Sequence, residues 1–167
     1  MLETQSAAGA CALCRKSAYL AIHFEDEKWM EHYQYAVGDD QVFFYKLFCY
    51  GYKLLISYEA KVIHLDAGSG HIKDRNKFSY CFSFLDYVVW RRTVYETRRN
   101  GFMKMYAWFS YNFINQIRLL PLRFLIVLVR RNLSGLRYSL KGYFDAKKFA
   151  ESEEYKSIPK FLSHYLK

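Results

Sequence analysis

The chain has 167 residues, of which 52% are hydrophobic and 20% aromatic, a composition that supports a folded core and excludes a disordered chain. Its N-terminus lacks a basic start and an apolar run, so we expect no signal peptide and a cytoplasmic protein. The net charge of +9 comes from residues 86–148, which carry 13 Lys and Arg against 3 Asp and Glu. That segment predicts an anionic partner, either phospholipid headgroups or nucleic acid.

The first predicted element is a buried strand over residues 9–14, which leads into a helix that starts near Ser17. Small side chains from Gly9 onward would let a ligand or another backbone approach closely, and a tightly packed core strand is an equally good interpretation. Cys11 and Cys14 have the spacing of a metal or redox pair. Since no second pair follows, we expect reduced, buried cysteines instead.

Residues 24–27 form an acidic segment that precedes Trp29 and two tyrosines. A solvated loop followed by a helix is the favoured interpretation, because acidic side chains usually face water. The alternative is a wall that binds a sugar acceptor, since the flat faces of aromatic rings can stack on sugar rings.

The most informative stretch covers residues 38–68, where an acidic pair opens a predicted helix. Asp39 and Asp40 follow Gly38 directly, and carboxylates at a helix start accept hydrogen bonds from unpaired backbone N–H groups. Apolar residues at helical spacing then continue the helix over residues 42–49.

A glycine, two strands and a histidine complete this stretch. Gly51 fits the left-handed position that often follows a helix. Short apolar runs then predict strands over residues 53–57 and 61–65, with His64 near the end of the second strand.

The order of these residues resembles the C-terminal half of the catalytic domain of family 2 glycosyltransferases, which have the GT-A nucleotide-sugar transferase fold. The resemblance covers residues 9–70, and the remaining chain matches only in general character. At the acidic pair, where the family more often has Glu-Asp, this chain has Asp39 and Asp40. The resemblance implies an inverting transfer of a sugar from a nucleotide-diphospho-sugar to an acceptor hydroxyl.

The resemblance also implies a role for each matching residue. Asp40 corresponds to the catalytic base, which takes the proton of the acceptor hydroxyl, and Asp39 would orient the acceptor or the neighbouring backbone. Gly9 would lie near the donor. His64 would bind the divalent cation, Mg²⁺ or Mn²⁺, or the diphosphate. The position of the two aspartates alone favours a plain helix cap. Only the presence of Gly51 and His64 after them, in the order that the family has, favours a catalytic role.

One part of the family pattern is missing from this sequence. The family binds its nucleotide and metal through an Asp-x-Asp motif in an N-terminal half, and the sequence contains no Asp-x-Asp. The resemblance therefore implies a C-terminal fragment that is inactive alone and whose partner would be the missing N-terminal half. Its substrates would be the nucleotide-sugar donor and a carbohydrate or lipid-linked acceptor, as in polysaccharide biosynthesis.

After Gly70 the pattern becomes helical. A first amphipathic stripe consists of Phe78, Phe82, Leu85 and Val89. A second stripe consists of Phe102, Met105, Phe109, Phe113, Ile117 and Leu120. Two further helices are predicted, one that starts at Pro121 and one over residues 137–150.

The helical region is too interrupted to span a membrane, since Arg118 and Arg123 divide its most apolar run, residues 113–129. Aromatic and aliphatic stripes beside many arginines favour a peripheral position on the cytoplasmic face of a membrane. The alternative is that the stripes pack on one another and leave a basic face to solvent.

The basic segment also supports a second class of function. A non-enzymatic module could bind anionic lipid or nucleic acid through residues 86–148. Nucleic acid is the less favoured ligand, because the segment contains no recognised nucleic-acid motif.

The predicted architecture is α/β, with a partial GT-A-like mixed sheet and helices over about residues 8–70, followed by a mostly α-helical C-terminal region. Three domains are predicted. They are residues 1–76, the C-terminal half of the catalytic domain, residues 77–150, the basic amphipathic helices, and residues 151–167, a polar tail.

Overall fold

The computed structural model describes residues 2–4, 12–32, 38–57, 59, 74–115, 117, 121, 125 and 133–161. Its backbone forms two compact units, the first made of Met1–Lys73 and Ile158–Lys167 and the second of Asp74–Ser157. In the first unit, the elements are strand β1 (Leu2–Thr4), helix α1 (Lys16–Ala21), a 3-10 helix (Phe24–His32), helix α2 (Asp39–Cys49) and strand β2 (Leu54–Ile56).

The predicted α/β fold with a mixed sheet is wrong, because the described residues are mostly helical. Among them, strand is confined to an antiparallel ladder of β1 and β2, which runs from Leu2 opposite Ile56 to Thr4 opposite Leu54. Two strands of three residues are too few to form a sheet layer with its own core. Packed helices supply the buried cores instead.

The first predicted strand, over residues 9–14, is not formed in its described part. Residues 12–14 belong to neither helix nor strand, and the Leu13 side chain is fully exposed. A short apolar run becomes a strand only where a neighbouring strand satisfies its N–H and C=O groups, and β2 pairs with β1 instead. Residues 9–11 and the strand predicted over residues 61–65 lie outside the described residues.

The local predictions around α2 are confirmed. The helix covers the predicted residues 42–49, Gly51 has a left-handed φ of 86°, and β2 lies within the predicted residues 53–57. The core of this unit forms where α1 meets α2. One buried cluster there contains Ala18, Ile22, Phe44 and Leu47.

The second unit is helical in its described part, as predicted. Its elements are helix α3 (Arg75–Trp90), a π-helical turn (Arg91–Tyr95), helix α4 (Gly101–Phe109), a second π-helical turn (Ser110–Asn115), helix α5 (Leu133–Glu151) and helix α6 (Glu153–Ser157). Asp74 caps α3 by accepting a hydrogen bond from the Asn76 N–H at 2.9 Å. Asn100 caps α4 by accepting one from the Phe102 N–H at 2.8 Å. Within the described ranges, we find no helix with the length and apolarity needed to cross a membrane.

The buried face of α3 differs from the predicted stripe. Leu85 and Val89 are buried as expected, but Phe82 is exposed, and the buried face continues into the π-helical turn at Arg92. Within this π-helical turn, the Thr93 hydroxyl donates to the Val89 carbonyl at 2.7 Å. A hydroxyl bond of this kind competes with the backbone ladder and often bends a helix.

Helices α3 and α5 approach each other closely at Gly142. A Cβ added at Gly142 would overlap the carbonyl oxygen of Tyr80 in α3 and lie 3.0 Å from its carbonyl carbon. Side-chain bonds join the same two helices, since the Ser83 and Ser139 hydroxyls are 2.5 Å apart and the Tyr80 hydroxyl donates to Asp145 at 3.0 Å. The contact therefore requires a residue without a side chain.

We expect Gly142→Ala to destabilise the second unit by about 1–3 kcal/mol, because the added methyl group forces the two helices apart. Alanine gains about 1 kcal/mol of helix propensity, which offsets only part of that cost. Gly101→Ala is the matched control, since a Cβ there meets nothing within 4 Å. Denaturant unfolding followed by circular dichroism measures both variants. An unchanged midpoint for Gly142→Ala would contradict the close approach.

Candidate functional site

The predicted acidic pair lies on the first turn of α2. Gly38 precedes the helix at its capping position with a left-handed φ of 81°. Asp39 is exposed and Asp40 is half-buried, and the Gln41 N–H donates to Asp40 Oδ1 at 2.7 Å. Because glycine occupies the capping position, the two carboxylates sit inside the first turn, where the helix dipole favours negative charge.

A buried ion pair holds α2 against the 3-10 helix. Lys46 is 3% exposed, and its Nζ lies 3.3 Å from Glu27 Oε1 and 3.8 Å from Asp26 Oδ2. The same ammonium group donates to the His23 carbonyl oxygen at 2.8 Å. A buried charge is tolerated only when it is paired and hydrogen-bonded, and these contacts meet that requirement.

Glu27 has a second partner within the 3-10 helix. The Trp29 Nε1–H donates to Glu27 Oε2 at 2.7 Å, so each carboxylate oxygen of this 2% exposed residue has a partner. The favoured interpretation of residues 24–27 as a solvated segment is therefore wrong for Glu27. Its carboxylate joins the 3-10 helix to α2 instead of facing water.

His23 connects this network to an unusual backbone conformation. Its φ is 48°, in the left-handed region that costs a non-glycine residue about 1–3 kcal/mol. The bond from Lys46 to its carbonyl holds that conformation. On the exposed side, His23 Nδ1 lies 3.1 Å from Glu25 Oε1. The pKa of the Glu25 carboxyl is lowered. The larger cause is a hydrogen bond with the backbone N–H of Glu25, and the smaller is the hydrogen bond with His23.

The three described cysteines are free thiols, two of them buried and one exposed. Burial raises the pKa of the Cys49 thiol to about 11, which favours the protonated thiol over the thiolate. Cys81 is also buried, as expected, but Cys14 is exposed, which contradicts the prediction for that residue. Cys11 lies outside the described residues.

The structure places two of the four predicted site residues. Asp39 and Asp40 lie together on the first turn of α2, whereas Gly9 and His64 lie outside the described residues. In the described part of the chain, no three His, Cys, Asp or Glu side chains are grouped closely enough to hold a metal ion. The role of His64 as a metal ligand stays a prediction.

The sequence interpretation missed Lys46, although the sequence carries a signal for it. Lys46 stands between the apolar residues Phe44 and Leu47 of a predicted helix, where a charged residue needs a buried partner. Nothing in the spacing identifies Glu27 as that partner, because the two residues are 19 positions apart.

Comparison with known proteins gives no relative for this chain. No family model matches it, and no curated protein and no solved structure is significantly similar to it. The likeness to family 2 glycosyltransferases therefore rests on the residue pattern alone.

Proposed function

We propose that this chain is part of an inverting glycosyltransferase, which transfers a sugar from a nucleotide-diphospho-sugar to the hydroxyl of a carbohydrate or lipid-linked acceptor. The observation that carries the proposal is the start of α2, where two carboxylates follow a left-handed Gly38 on one helical turn. Asp39 is exposed, and Asp40 is fixed by the Gln41 N–H. The positive end of the helix favours the ionised carboxylate that a general base needs.

We assign the base to Asp40 and the orientation of the acceptor to Asp39. The acceptor hydroxyl oxygen forms a bond to the anomeric carbon while the bond to the diphosphate oxygen breaks on the opposite face, which inverts the configuration. The hydroxyl proton passes to the Asp40 carboxylate, and the nucleoside diphosphate leaves with the bonding electrons. A divalent cation, when bound, offsets the charge on the diphosphate. We assign binding of this cation to His64. Binding of the nucleotide-sugar donor is assigned to Gly9 and to the N-terminal half that the family domain contains.

The buried ion pair gives α2 a fixed position in this scheme. Lys46 follows Asp39 by seven residues, so the two lie on the same side of α2, about 10 Å apart along the helix axis. By anchoring α2 to Glu27 of the 3-10 helix, Lys46 fixes the direction of the first turn. We therefore regard Lys46 and Glu27 as positioning residues for the two carboxylates.

Release of nucleoside diphosphate tests the proposed activity. The longest natural protein that carries these residues is incubated with uridine- and guanosine-diphospho-sugars, Mg²⁺ or Mn²⁺, and short oligosaccharides or a lipid extract as acceptors. We expect release of the nucleoside diphosphate and, by proton NMR, a product of inverted anomeric configuration. Retention of configuration, or no release from any donor, would contradict the proposal.

A further inference from the structure

Helix α4 and the π-helical turn after it expose a row of large apolar side chains. Phe102, Met105 and Phe109 are 66%, 60% and 49% exposed, and Phe113 continues the row at 43%. These four residues, which we name the α4 face, have the i, i+3, i+7 and i+11 spacing of one helix side. The second predicted stripe therefore lies at the surface in its described part, instead of packing within the protein.

Packing fixes the opposite side of α4, so the helix cannot rotate to bury the α4 face. Ala107 lies on that opposite side and is buried. In the following turn, Tyr111 stacks on Trp90 with ring centroids 4.2 Å apart, and its hydroxyl donates to Asp86 Oδ2 at 2.6 Å. A rotation would break the stack and leave a buried hydroxyl without its acceptor.

The edges of the α4 face have the composition of a membrane interface. Tyr106 and Trp108 flank it, and both are exposed. Aromatic residues with a polar tip are enriched at the level of lipid headgroups. Arg98 and Arg99 are exposed immediately before the cap of α4, so positive charge adjoins the apolar face.

This composition distinguishes an anionic bilayer from other partners. Nucleic acid would offer phosphates to Arg98 and Arg99 but no apolar phase for the four large side chains of the α4 face. A second copy of this chain would bring two net charges of +9 together. An anionic bilayer offers an apolar phase for the face and phosphates for the neighbouring arginines.

We propose that the α4 face inserts at the boundary between headgroups and acyl chains of an anionic phospholipid bilayer, while Arg98 and Arg99 bind the lipid phosphates. Two other arginines of the basic segment do not take part. Arg92 is buried, and the Arg91 guanidinium packs over the Tyr95 ring at 4.5 Å from its centroid. Membrane binding by this face does not depend on the proposed sugar transfer.

Sedimentation with vesicles tests the apolar part of this surface on the full chain. The vesicles contain equimolar dioleoylphosphatidylcholine and dioleoylphosphatidylglycerol. We expect Met105→Gln/Phe109→Gln to lower the partition coefficient at least about tenfold, because two apolar side chains no longer enter the bilayer. Leu20→Gln/Leu55→Gln is the matched control, since it removes two apolar side chains that are each 58% exposed in the first unit. Its binding should equal that of the wild type.

A second variant tests the charged part and leaves the apolar face intact. We expect Arg98→Gln/Arg99→Gln to lower the partition coefficient about thirtyfold at low salt. Wild-type binding should also weaken as salt rises from about 0.1 M to about 1 M, because the screening length falls from about 10 Å to about 3 Å.

Three outcomes would overturn the proposal. The first is failure of the vesicle test: the wild type does not bind the vesicles at low salt, or Met105→Gln/Phe109→Gln binds them as tightly as the wild type. The second is a wild-type dimer that the same substitutions dissociate, without vesicle binding, which would assign the α4 face to a second copy. The third is tight binding to a duplex oligonucleotide that these substitutions abolish, which would assign the face to nucleic acid.

Discussion

Lys46→Met is expected to lower the free energy of unfolding by about 3–5 kcal/mol, because it leaves the Glu27 carboxylate buried without its charged partner. Glu27 Oε1 lies 3.3 Å from Lys46 Nζ, and both residues are almost completely buried. The substitution also removes the hydrogen bond that holds the left-handed backbone of His23. Chemical denaturation followed by circular dichroism measures the loss, and hydrogen exchange of the α2 amides locates it.

Two further variants separate the buried charge from other effects. Lys28→Met removes an exposed lysine from the same 3-10 helix and should change stability by less than about 0.5 kcal/mol. Adding Glu27→Gln to Lys46→Met should recover part of the loss, because the amide oxygen still accepts from Trp29 Nε1–H and no buried charge remains. A loss below about 1 kcal/mol for Lys46→Met alone would contradict a dry, paired site.

The features predicted correctly from the sequence are those that neighbouring residues determine. The start of α2, the left-handed Gly51 and strand β2 follow from a dipole-compatible acidic pair, a glycine stop and a short apolar run. Each of these signals acts within one or two turns of chain. The helix start and the glycine stop hold whether or not a larger sheet forms, whereas β2 also needs β1 as its pairing partner.

The features predicted wrongly depend on contacts between distant residues. Residues 12–14 are apolar enough for a strand, but β1 pairs with β2, and the sequence of β1 (Leu2–Thr4) is too short to indicate that partner. The π-helical turns have no periodic signal of their own, because the spacing of apolar residues over five or six positions does not distinguish such a turn from an α-helix.

Helical periodicity identifies a stripe but does not determine what covers it. The same pattern placed Leu85 in the core of the second unit and left Met105 at its surface. The difference comes from how each helix is packed. Helix α5 packs closely on α3 at Gly142, whereas the contacts of Tyr111 fix the turn after α4 with the α4 face at the surface. A stripe is therefore evidence of an apolar surface, and its partner is decided by the packing around it.

Asp40→Asn is expected to reduce turnover about a hundredfold to ten-thousandfold in the longest natural protein that carries these residues, because it removes the proposed base. Asparagine keeps a side-chain oxygen, so the 2.7 Å hydrogen bond from the Gln41 N–H is retained and the helix start is preserved. Donor affinity should stay unchanged, since we place Asp40 on the acceptor side. Turnover and the donor Kd are measured at saturating metal.

Asp39→Asn and Gln41→Ala complete this test within the same helical turn. Asp39→Asn should reduce turnover less than Asp40→Asn, because orienting the acceptor contributes less than taking its proton, and Gln41→Ala should leave turnover unchanged. Each Asn variant removes one negative charge from the helix start and should cost about 0.3–1 kcal/mol of stability. If Asp39→Asn and Asp40→Asn have similar stabilities but unequal turnovers, the loss of turnover comes from the reaction and not from folding. If only Asp39→Asn abolished turnover, the base would be Asp39; if neither did, the acidic pair would only stabilise α2.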